Sequence, residues 1–460
     1  MSAWFPRVTF HSLAILVSVL VYILTTRAIG ERRPPSIAIA WVLGMIALPY
    51  ITLPMYLMFG RRKLPRKKNS ANVVRRHGRH WAEDLIESFE LGPAADVTVR
   101  LHRDGSQSAT ALFETMQCAK YRLDVCTYIL GNDPFGLDAM RRMARCVERG
   151  VSVRLLLDGV GAIQLPHSFF SKLKSLGIQT QIFSPLLARK TQGPRNLRNH
   201  RKMVIADGTR LWAGGRNLAA EYFIGVHGEP AWRDLSFDLE GPVAGDAAQQ
   251  FEADWVAAGG APAPAPPQPA AGDSGPAARG ATVSRAQFLP SGPDQTEDTV
   301  HALLIDACFH VRERILAVTP YFVPDASLET ALRLAARRGV KIDLVLPGKS
   351  NHRLADFARN RALRSLSKAG VGIYLVPFMN HAKAVVCDDS LALTGSVNLD
   401  SRSLLLNYES AVVLYGSAEI SWLADWIDAL KPLARPFDAR APNVLRDVCE
   451  GLLLTVAYQL

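Results

Sequence analysis

The chain opens on two apolar runs. Residues 8–26 are almost continuously apolar, broken by His11 and a few hydroxyls, and residues 37–59 form a second run that contains Pro49 and Pro54. Each approaches the roughly 20 residues a helix needs to cross a hydrocarbon core of about 30 Å. The pattern therefore predicts a two-helix transmembrane hairpin over residues 1–60, with spans near 8–26 and 37–59. Prolines are tolerated in such a span when neighbouring groups re-satisfy the freed carbonyls. A cleaved signal peptide is the alternative for the first run, but the run is longer than a usual signal core and a second follows at once. From residue 96 the pattern changes to short β-branched runs alternating with amphipathic stretches, the mark of an α/β fold. Residues 97–101, 122–129 and 151–157 are expected as strands, and 137–148 as a helix closed by Gly150.

Residues 259–281, with Ala-Pro alternation at their centre, cannot bury a core and read as a linker. Beyond them the pattern begins again. The stretch from Tyr121 to Tyr128 answers the one from Glu313 to Tyr321, and Arg149-Gly-Val answers Arg338-Gly-Val. Leu176-Gly-Ile178 likewise answers Ala369-Gly-Val371. Such internal similarity marks a duplicated unit. The expected organisation is a first repeat over 96–258 and a second over 282–460, two pseudo-symmetric α/β/α halves forming one catalytic unit with its site where they meet. The first copy alone carries an insertion, the basic loop 185–199. The apolar-faced stretches 420–430 and 444–454 are expected to pack into the core by default, with dimer or membrane contact as the other options.

Composition sharpens this only locally. Hydrophobic residues make up 48% and charged residues 21% of 460, which excludes wholesale disorder. Six scattered cysteines form no CxxC pair and read as small buried apolar residues in a reducing compartment. Nine of the eleven net positive charges fall within 61–80, on Arg61, Arg62, Lys63, Arg66, Lys67, Lys68, Arg75, Arg76 and Arg79, with no acidic residue among them. A basic cluster directly after an apolar span is expected on the cytoplasmic side, drawn to anionic headgroups. Residues 61–95 are therefore expected as a basic juxtamembrane segment, with both termini inside.

Each repeat delivers the same constellation. His200-Arg-Lys202 is followed by Asp207 and then by Gly214-Gly-Arg-Asn217, and His381-Ala-Lys383 by Asp388 and Gly395-Ser-Val-Asn398, at identical spacing. The apolar residues after each Lys suggest a buried strand, and residues two apart on a strand share a face, so each His and Lys should project together. Asp207-Gly208 and Asp388-Asp-Ser390 are turn sequences leading to a returning strand that carries the Asn back. Two such faces together would gather two imidazoles, two ammonium groups and two amides. That set suits a phosphodiester: Lys202, Lys383, Asn217 and Asn398 stabilise non-bridging oxygens, one imidazole attacks phosphorus and the other protonates the leaving alkoxide. The lysines supply the positive charge, so neither metal nor cofactor is expected. Asp207 and Asp388 complete the candidate catalytic set with His200, Lys202, His381 and Lys383, although their turn position favours a role in fixing the hairpin.

These residues resemble the phospholipase D superfamily, whose duplicated motif is His-x-Lys-x4-Asp followed by Gly-Ser/Gly-x-Asn. More narrowly, the stretches 32–60, 198–222, 232–243, 319–325 and 381–409 are similar to bacterial cardiolipin synthases of the two-spanning kind. The resemblance implies a phospholipase D-like fold. It also implies phosphatidyl transfer between two phosphatidylglycerols, giving cardiolipin and glycerol through a phosphohistidine. It further implies a multi-pass protein of the bacterial inner membrane, catalytic on the cytoplasmic side, with anionic lipids as partners. By position it favours His200 as the nucleophile and His381 as the acid/base, the pseudo-symmetry leaving the two roles exchangeable, with Glu221 and Glu409 orienting the histidines. Two departures stand out: Asn351 where the family commonly has Asp, and Gly215 in place of the Ser of the second copy, the latter being normal for a first motif in this group.

Rival functions share the motif. A hydrolase of phospholipase D type, or a transferase using phosphatidylethanolamine, would carry the same residues. A nuclease is disfavoured because the excess charge sits beside the apolar runs, not along a groove with interleaved aromatics, so no nucleic-acid partner is expected. A catalytically dead lipid-binding scaffold is disfavoured because every motif His and Lys is present.

Overall fold

The computed structural model describes residues 9–29, 35–60, 63, 80–185, 196–267 and 282–454. The first apolar run forms α1 (Phe10–Ile29), but the second does not form one span. It divides into α2 (Pro35–Ala47) and α3 (Pro49–Phe59), 13 and 11 residues long. Proline lacks an amide hydrogen and bars the residue before it from helical geometry; Leu48, ahead of Pro49, accordingly adopts φ −140° and ψ 62°. The Thr52 hydroxyl donates to the Gly44 carbonyl at 2.9 Å, a pair that a straight helix would hold about 12 Å apart. Among the described residues no helix is long and apolar enough to cross a membrane. Of the basic cluster at 61–80, Lys63 and His80 lie within the described residues; the Lys63 ammonium is 2.8 Å from Asp298. The centre of the basic loop 185–199 and much of the linker lie outside them.

The expected juxtamembrane segment holds a short helix, α4 (Trp81–Ser88), that belongs to the second half of the molecule. Its Ala82 and Ile86 pack with Leu289 and Val300, and Glu83 pairs with Arg285 at 2.9 Å.

Fifteen strands form one sheet. The first half supplies β1 (Ala95–His102), β2 (Arg122–Thr127), β3 (Ser152–Asp158), β4 (Gln179–Phe183), β5 (Met203–Ala206), β6 (Arg210–Gly214) and β7 (Ser236–Glu240). The second supplies β8 (Thr282–Ser291), β9 (Arg314–Val318), β11 (Lys341–Pro347), β12 (Gly372–Val376), β13 (Ala384–Cys387), β14 (Leu391–Gly395) and β16 (Glu409–Leu414), with β17 (Arg435–Pro436) at its edge. The short β10 (Phe322–Val323) and β15 (Leu399–Asp400) pair separately. Outward from the centre the order runs β1-β7-β6-β5-β2-β3-β4 on one side and β8-β16-β14-β13-β9-β11-β12 on the other. Strand for strand the halves match, and β1 pairs antiparallel with β8 at the seam. The duplication expected from the sequence is thus an approximate twofold about that pair.

The core at the seam draws on both halves. Phe251 and Trp255 of the helix Pro242–Ala257 share it with Leu239, Phe288, Val412 and Leu423. The stretch 420–430 is core as expected, with Ile420, Leu423 and Ile427 buried. The helix Val444–Leu454 departs from that expectation. It turns Glu450 inward onto Arg364, with which half-exposed Asp447 also pairs, and leaves Val444, Leu445 and Val448 exposed. Four of the six cysteines are buried, whereas Cys118 and Cys449 are exposed.

Candidate active site

His200-Arg201-Lys202 and His381-Ala382-Lys383 lie in the extended stretches that lead into β5 and β13, not within the strands. Because β5 runs antiparallel to β2, with Cys126 opposite Met203, His200 stands where the parallel strands of its repeat end. Ala384 opposite Val318 sets His381 the same way. Each histidine thus lies at the C-terminal end of its own repeat's parallel strands, and the bridges of Asn199 to Tyr408 and of Arg233 to Asn380 join each of these ends to the other repeat.

Each histidine is held by the other repeat. The His200 amide donates to the Tyr408 carbonyl at 2.8 Å, and the His381 amide to the Arg233 carbonyl at 2.6 Å. The residue after each of those carbonyls carries a carboxylate that meets the ring. Glu409 Oε1 is 2.9 Å from His200 Nδ1, and Asp234 Oδ2 is 2.8 Å from His381 Nδ1. Both carboxylates are buried. With Nδ1 occupied, Nε2 of each ring is the nitrogen left for chemistry.

The lysines repeat the symmetry. Lys202 Nζ donates to the His200 carbonyl at 2.7 Å and Lys383 Nζ to the His381 carbonyl at 2.5 Å. Lys383 Nζ also lies 2.8 and 3.1 Å from the two ring nitrogens of His381. The motif asparagines are fixed alike: Asn217 Nδ2 donates to the Tyr222 hydroxyl at 2.7 Å, and Asn398 Nδ2 to the Ser403 hydroxyl at 3.1 Å.

Burial governs the electrostatics. It lowers the Lys202 ammonium to about 8 and the Lys383 ammonium to about 7, against the partial support of Glu409 and Asp234 respectively. It lowers His381 to about 3, with the neighbouring Lys383 charge acting the same way. Burial lowers His200 too, opposed by Glu409 and helped by both lysines. Burial disfavours the Asp234 anion, but His381 and Lys383 outweigh it and hold its carboxyl below the ordinary range. At neutral pH the arrangement is therefore an ionised Asp234 beside a neutral His381. Charges from both repeats act on each histidine.

The rings around the two histidines differ. His381 is enclosed by Tyr222, Trp232 and Tyr321, with ring centroids 5.1, 5.7 and 6.4 Å away. His200 has Tyr128 at 5.0 Å and keeps 14% of its side chain exposed, against 4% for His381.

Three expectations need correction. Asp207 and Asp388, among the candidate catalytic residues, stand at the far end of their four-residue strands, roughly 16 Å of chain from the lysines. Asp207 accepts the amides of Lys120, Tyr121 and Arg122 at 2.7–2.8 Å, and Asp388 those of Arg312, Glu313 and Arg314 at 2.8–2.9 Å. Each pins the start of the neighbouring parallel strand from a left-handed turn, at φ 53° and 48°. Glu221 lies on the 3-10 turn Ala220–Tyr222, where burial raises its carboxyl, while the carboxylate that meets His381 Nδ1 is that of Asp234.

Asp234 was hidden by chain length. Gly214 faces Ser236 and Gly395 faces Ala411, so Asp234 and Glu409 each lie two residues before the partner of a motif glycine. Along the chain, however, Asp234 follows its Asn by 17 residues and Glu409 by 11. The change of Ser to Gly215 has its cause here, since a Cβ at Gly215 would stand 2.2 Å from Asp234 Oδ1. In the second repeat the longer Glu409 leaves room for Ser396, whose hydroxyl donates to it at 2.5 Å. Arg201 was also missed. Fully buried, it pairs with Asp254 at 2.5 Å and Asp294 at 3.0 Å and donates to the Glu409 carbonyl at 3.0 Å, tying the two repeats together. Asn351, the other departure, accepts from the Tyr321 hydroxyl at 2.5 Å.

Among the described residues no group of three or more His, Cys, Asp or Glu side chains is arranged to hold a metal ion. A family model described as cardiolipin synthase, PLD-like domain, matches residues 112–255 and 304–431, each segment carrying one motif. The chain belongs to the phospholipase D-like cardiolipin synthase family. A second model, described as phospholipase D-nuclease N-terminal, matches residues 14–61. Within the family, the chain is 32% identical over 420 residues to cardiolipin synthase 1 of Bacillus cereus, covering 85% of this chain and 82% of that one. It is 28% identical over 466 residues to cardiolipin synthase A of Pseudomonas aeruginosa, covering 95% and 93%. Among solved structures, a phosphatidylserine synthase from Haemophilus influenzae superposes with a TM-score of 0.60 at 14% identity, over 79% of this chain and 95% of that one, a likeness of fold.

Proposed function

We propose that this member of the cardiolipin synthase family transfers a phosphatidyl group from one phosphatidylglycerol to the terminal hydroxyl of another, giving cardiolipin and glycerol. The observation that carries the reading is the crossed pairing of His200 with Glu409 and His381 with Asp234, with one lysine beside each ring. Neutral, deeply buried His381 is the better nucleophile, and the partly exposed His200 the better acid and base, the reverse of the order the resemblance implies. In the first step Nε2 of His381 bonds to phosphorus, the bond from phosphorus to the headgroup oxygen breaks, and the departing glycerol takes a proton from His200. In the second, His200 removes the proton of the incoming hydroxyl, its oxygen bonds to phosphorus and the bond to His381 breaks. Lys202, Lys383, Asn217 and Asn398 offset the charge that gathers on the non-bridging oxygens. Enclosure by Tyr222, Trp232 and Tyr321 favours transfer to a lipid alcohol over hydrolysis, because it keeps water from the intermediate.

The apolar N-terminal helices support a membrane location. Phe10, Leu16, Leu43 and Ile51, spread over the three N-terminal helices, are 57–79% exposed, apolar surface that water disfavours and lipid accepts. In this reading the segment anchors the protein in the inner membrane of a bacterium, with the catalytic part on the cytoplasmic side beside anionic lipid.

The test is incubation of purified full-length protein with phosphatidylglycerol vesicles and identification of the lipid products by mass. Cardiolipin with free glycerol is expected. Phosphatidic acid as sole lipid product would establish a hydrolase instead, and release of labelled ethanolamine from mixed vesicles would establish a different donor.

A further inference from the structure

The two repeats match closely at the residues that meet phosphorus and differ four residues beyond each motif asparagine. After Asn217 that position is Glu221; after Asn398 it is Arg402. The positions are equivalent, because the next residue in each repeat, Tyr222 or Ser403, bonds its own motif asparagine. The same local fold thus presents an acid on one side of the site and a cation on the other.

Arg402 reaches across to the first repeat. Its guanidinium donates to the Asn196 carbonyl at 2.9 Å and lies close enough to Tyr128 and Asp158 for their charges to act on it. Tyr128 in turn stands against His200 with ring centroids 5.0 Å apart. Arg402, Tyr128 and His200 are each partly exposed, so they line an approach to the more open histidine. Beside Arg402, Asn196 is buried to 7% exposure, yet its side-chain Nδ2 and Oδ1 have no hydrogen-bond partner among the described residues. A buried amide left without partners is costly unless something supplies them. The rings around His381, Tyr222, Trp232 and Tyr321, carry neutral donors and no guanidinium.

We propose that Arg402, with Asn196 and Tyr128, forms a subsite for the phosphodiester of the acceptor lipid. This deepens the reading under Proposed function and rests on it. A phosphatidylglycerol acceptor brings a second negative charge, one glycerol unit from its reacting hydroxyl, while the central lysines are occupied by the phosphate being transferred. A planar guanidinium beside the acid/base histidine can hold two oxygens of that second phosphate at once. The subsite would thereby select a charged lipid alcohol over water or a small neutral alcohol. It also orients the transfer, because the acceptor enters on the side of His200.

The test compares two acceptors competing for one intermediate. Full-length protein in mixed micelles of phosphatidylglycerol is supplied with ethanol, and cardiolipin and phosphatidylethanol are measured together. Loss of a charge-assisted contact to the acceptor alone should lower the ratio of cardiolipin to phosphatidylethanol about tenfold or more in Arg402→Gln, with a raised KM for the phosphatidylglycerol acceptor. Arg402→Lys, which keeps the charge without the fork, should lower the ratio by a smaller factor and decides the matter if the Gln variant does not fold. A role in folding or in forming the intermediate would reduce both products alike; an unchanged ratio therefore overturns the subsite. Wild-type protein that makes phosphatidylethanol and no cardiolipin overturns the two-lipid reading itself, and the subsite with it.

Discussion

Asp234 and Glu409 occupy the same position in the two repeats, and each orients the histidine of the other. Neither half of the chain holds a complete His-carboxylate pair. A carboxylate in this place fixes the tautomer and steadies the imidazolium that forms as a proton moves. Asp234→Asn and Glu409→Gln should each reduce kcat by about a hundredfold or more, with the folded fraction retained. Glu221→Gln should stay within about threefold of wild type, since it contacts neither ring. Steady-state cardiolipin synthesis by the three variants checks the assignment; a large loss in Glu221→Gln with none in Asp234→Asn would reverse it.

The unequal burial of the histidines leads to a second expectation. A phosphatidyl ester with a leaving group that departs without a proton removes the need for an acid in the first step. With such a substrate His200→Ala should release about one equivalent of leaving group per enzyme and then stall, with the phosphatidyl group on His381. His381→Ala should show no burst. Rapid-quench kinetics and peptide mass settle the order, and an adduct on His200 would restore the assignment implied by the family resemblance.

The pH profile follows from the lysines. An ammonium whose pKa is lowered is charged below that value and neutral above it. Lys383 at about 7 and Lys202 at about 8 therefore lose, as pH rises through that interval, the positive charge that the transition state uses. In kcat/KM, which reports the free enzyme, the lysines should add an alkaline fall between about 7 and 8 to the earlier loss that begins as His200, lowered by burial, gives up the proton its role as acid requires. The kcat limb should lie higher, because bound phosphate favours the charged forms. His381, lowered to about 3, predicts no loss on the acid side until well below pH 5. Lys383→Arg should move the alkaline limb upward if the longer side chain is accommodated, and a limb that stays in place would exclude Lys383 as its source.

Asp207 and Asp388 should behave as structural residues. Asp207→Ala leaves three backbone amides without their acceptor and places alanine at a positive φ, a loss on the order of 2–4 kcal/mol. The midpoint of denaturant unfolding should drop accordingly, while the fraction that remains folded keeps a kcat within a few-fold of wild type. Asparagine, which tolerates the left-handed conformation, should cost less at either position.

Sequence legibility tracked local spacing. His200, Lys202 and Asn217 recur at fixed intervals as His381, Lys383 and Asn398 because each trio lies on one hairpin, where chain distance sets spatial distance. Asp234 escaped because a longer connection separates it from Asn217, and strand register, which no count along the chain reveals, restores its equivalence to Glu409. Arg201 gave no signal because its partners Asp254 and Asp294 lie in other elements and the second copy has Ala382 there. The second apolar run showed the right composition for a span, but hydropathy averages over Pro49, whose effect on Leu48 is conformational. The apolar face of the helix Val444–Leu454 suggested core, yet the buried Arg364 claims the acidic face, and polar pairing overrides hydrophobic patterning there.

The seam between β1 and β8 carries a consequence for how the molecule could be divided. Hydrogen bonds and a shared core join the halves there without help from the 259–281 connection. A chain cut within that connection should hold together, and two polypeptides made separately should assemble and regain turnover that neither possesses alone. A catalyst of this design is in effect a heterodimer whose subunits happen to be covalently continuous, so a lesion in one His-Lys motif and a lesion in the other could be rescued by no mixture of the damaged chains unless their halves trade places.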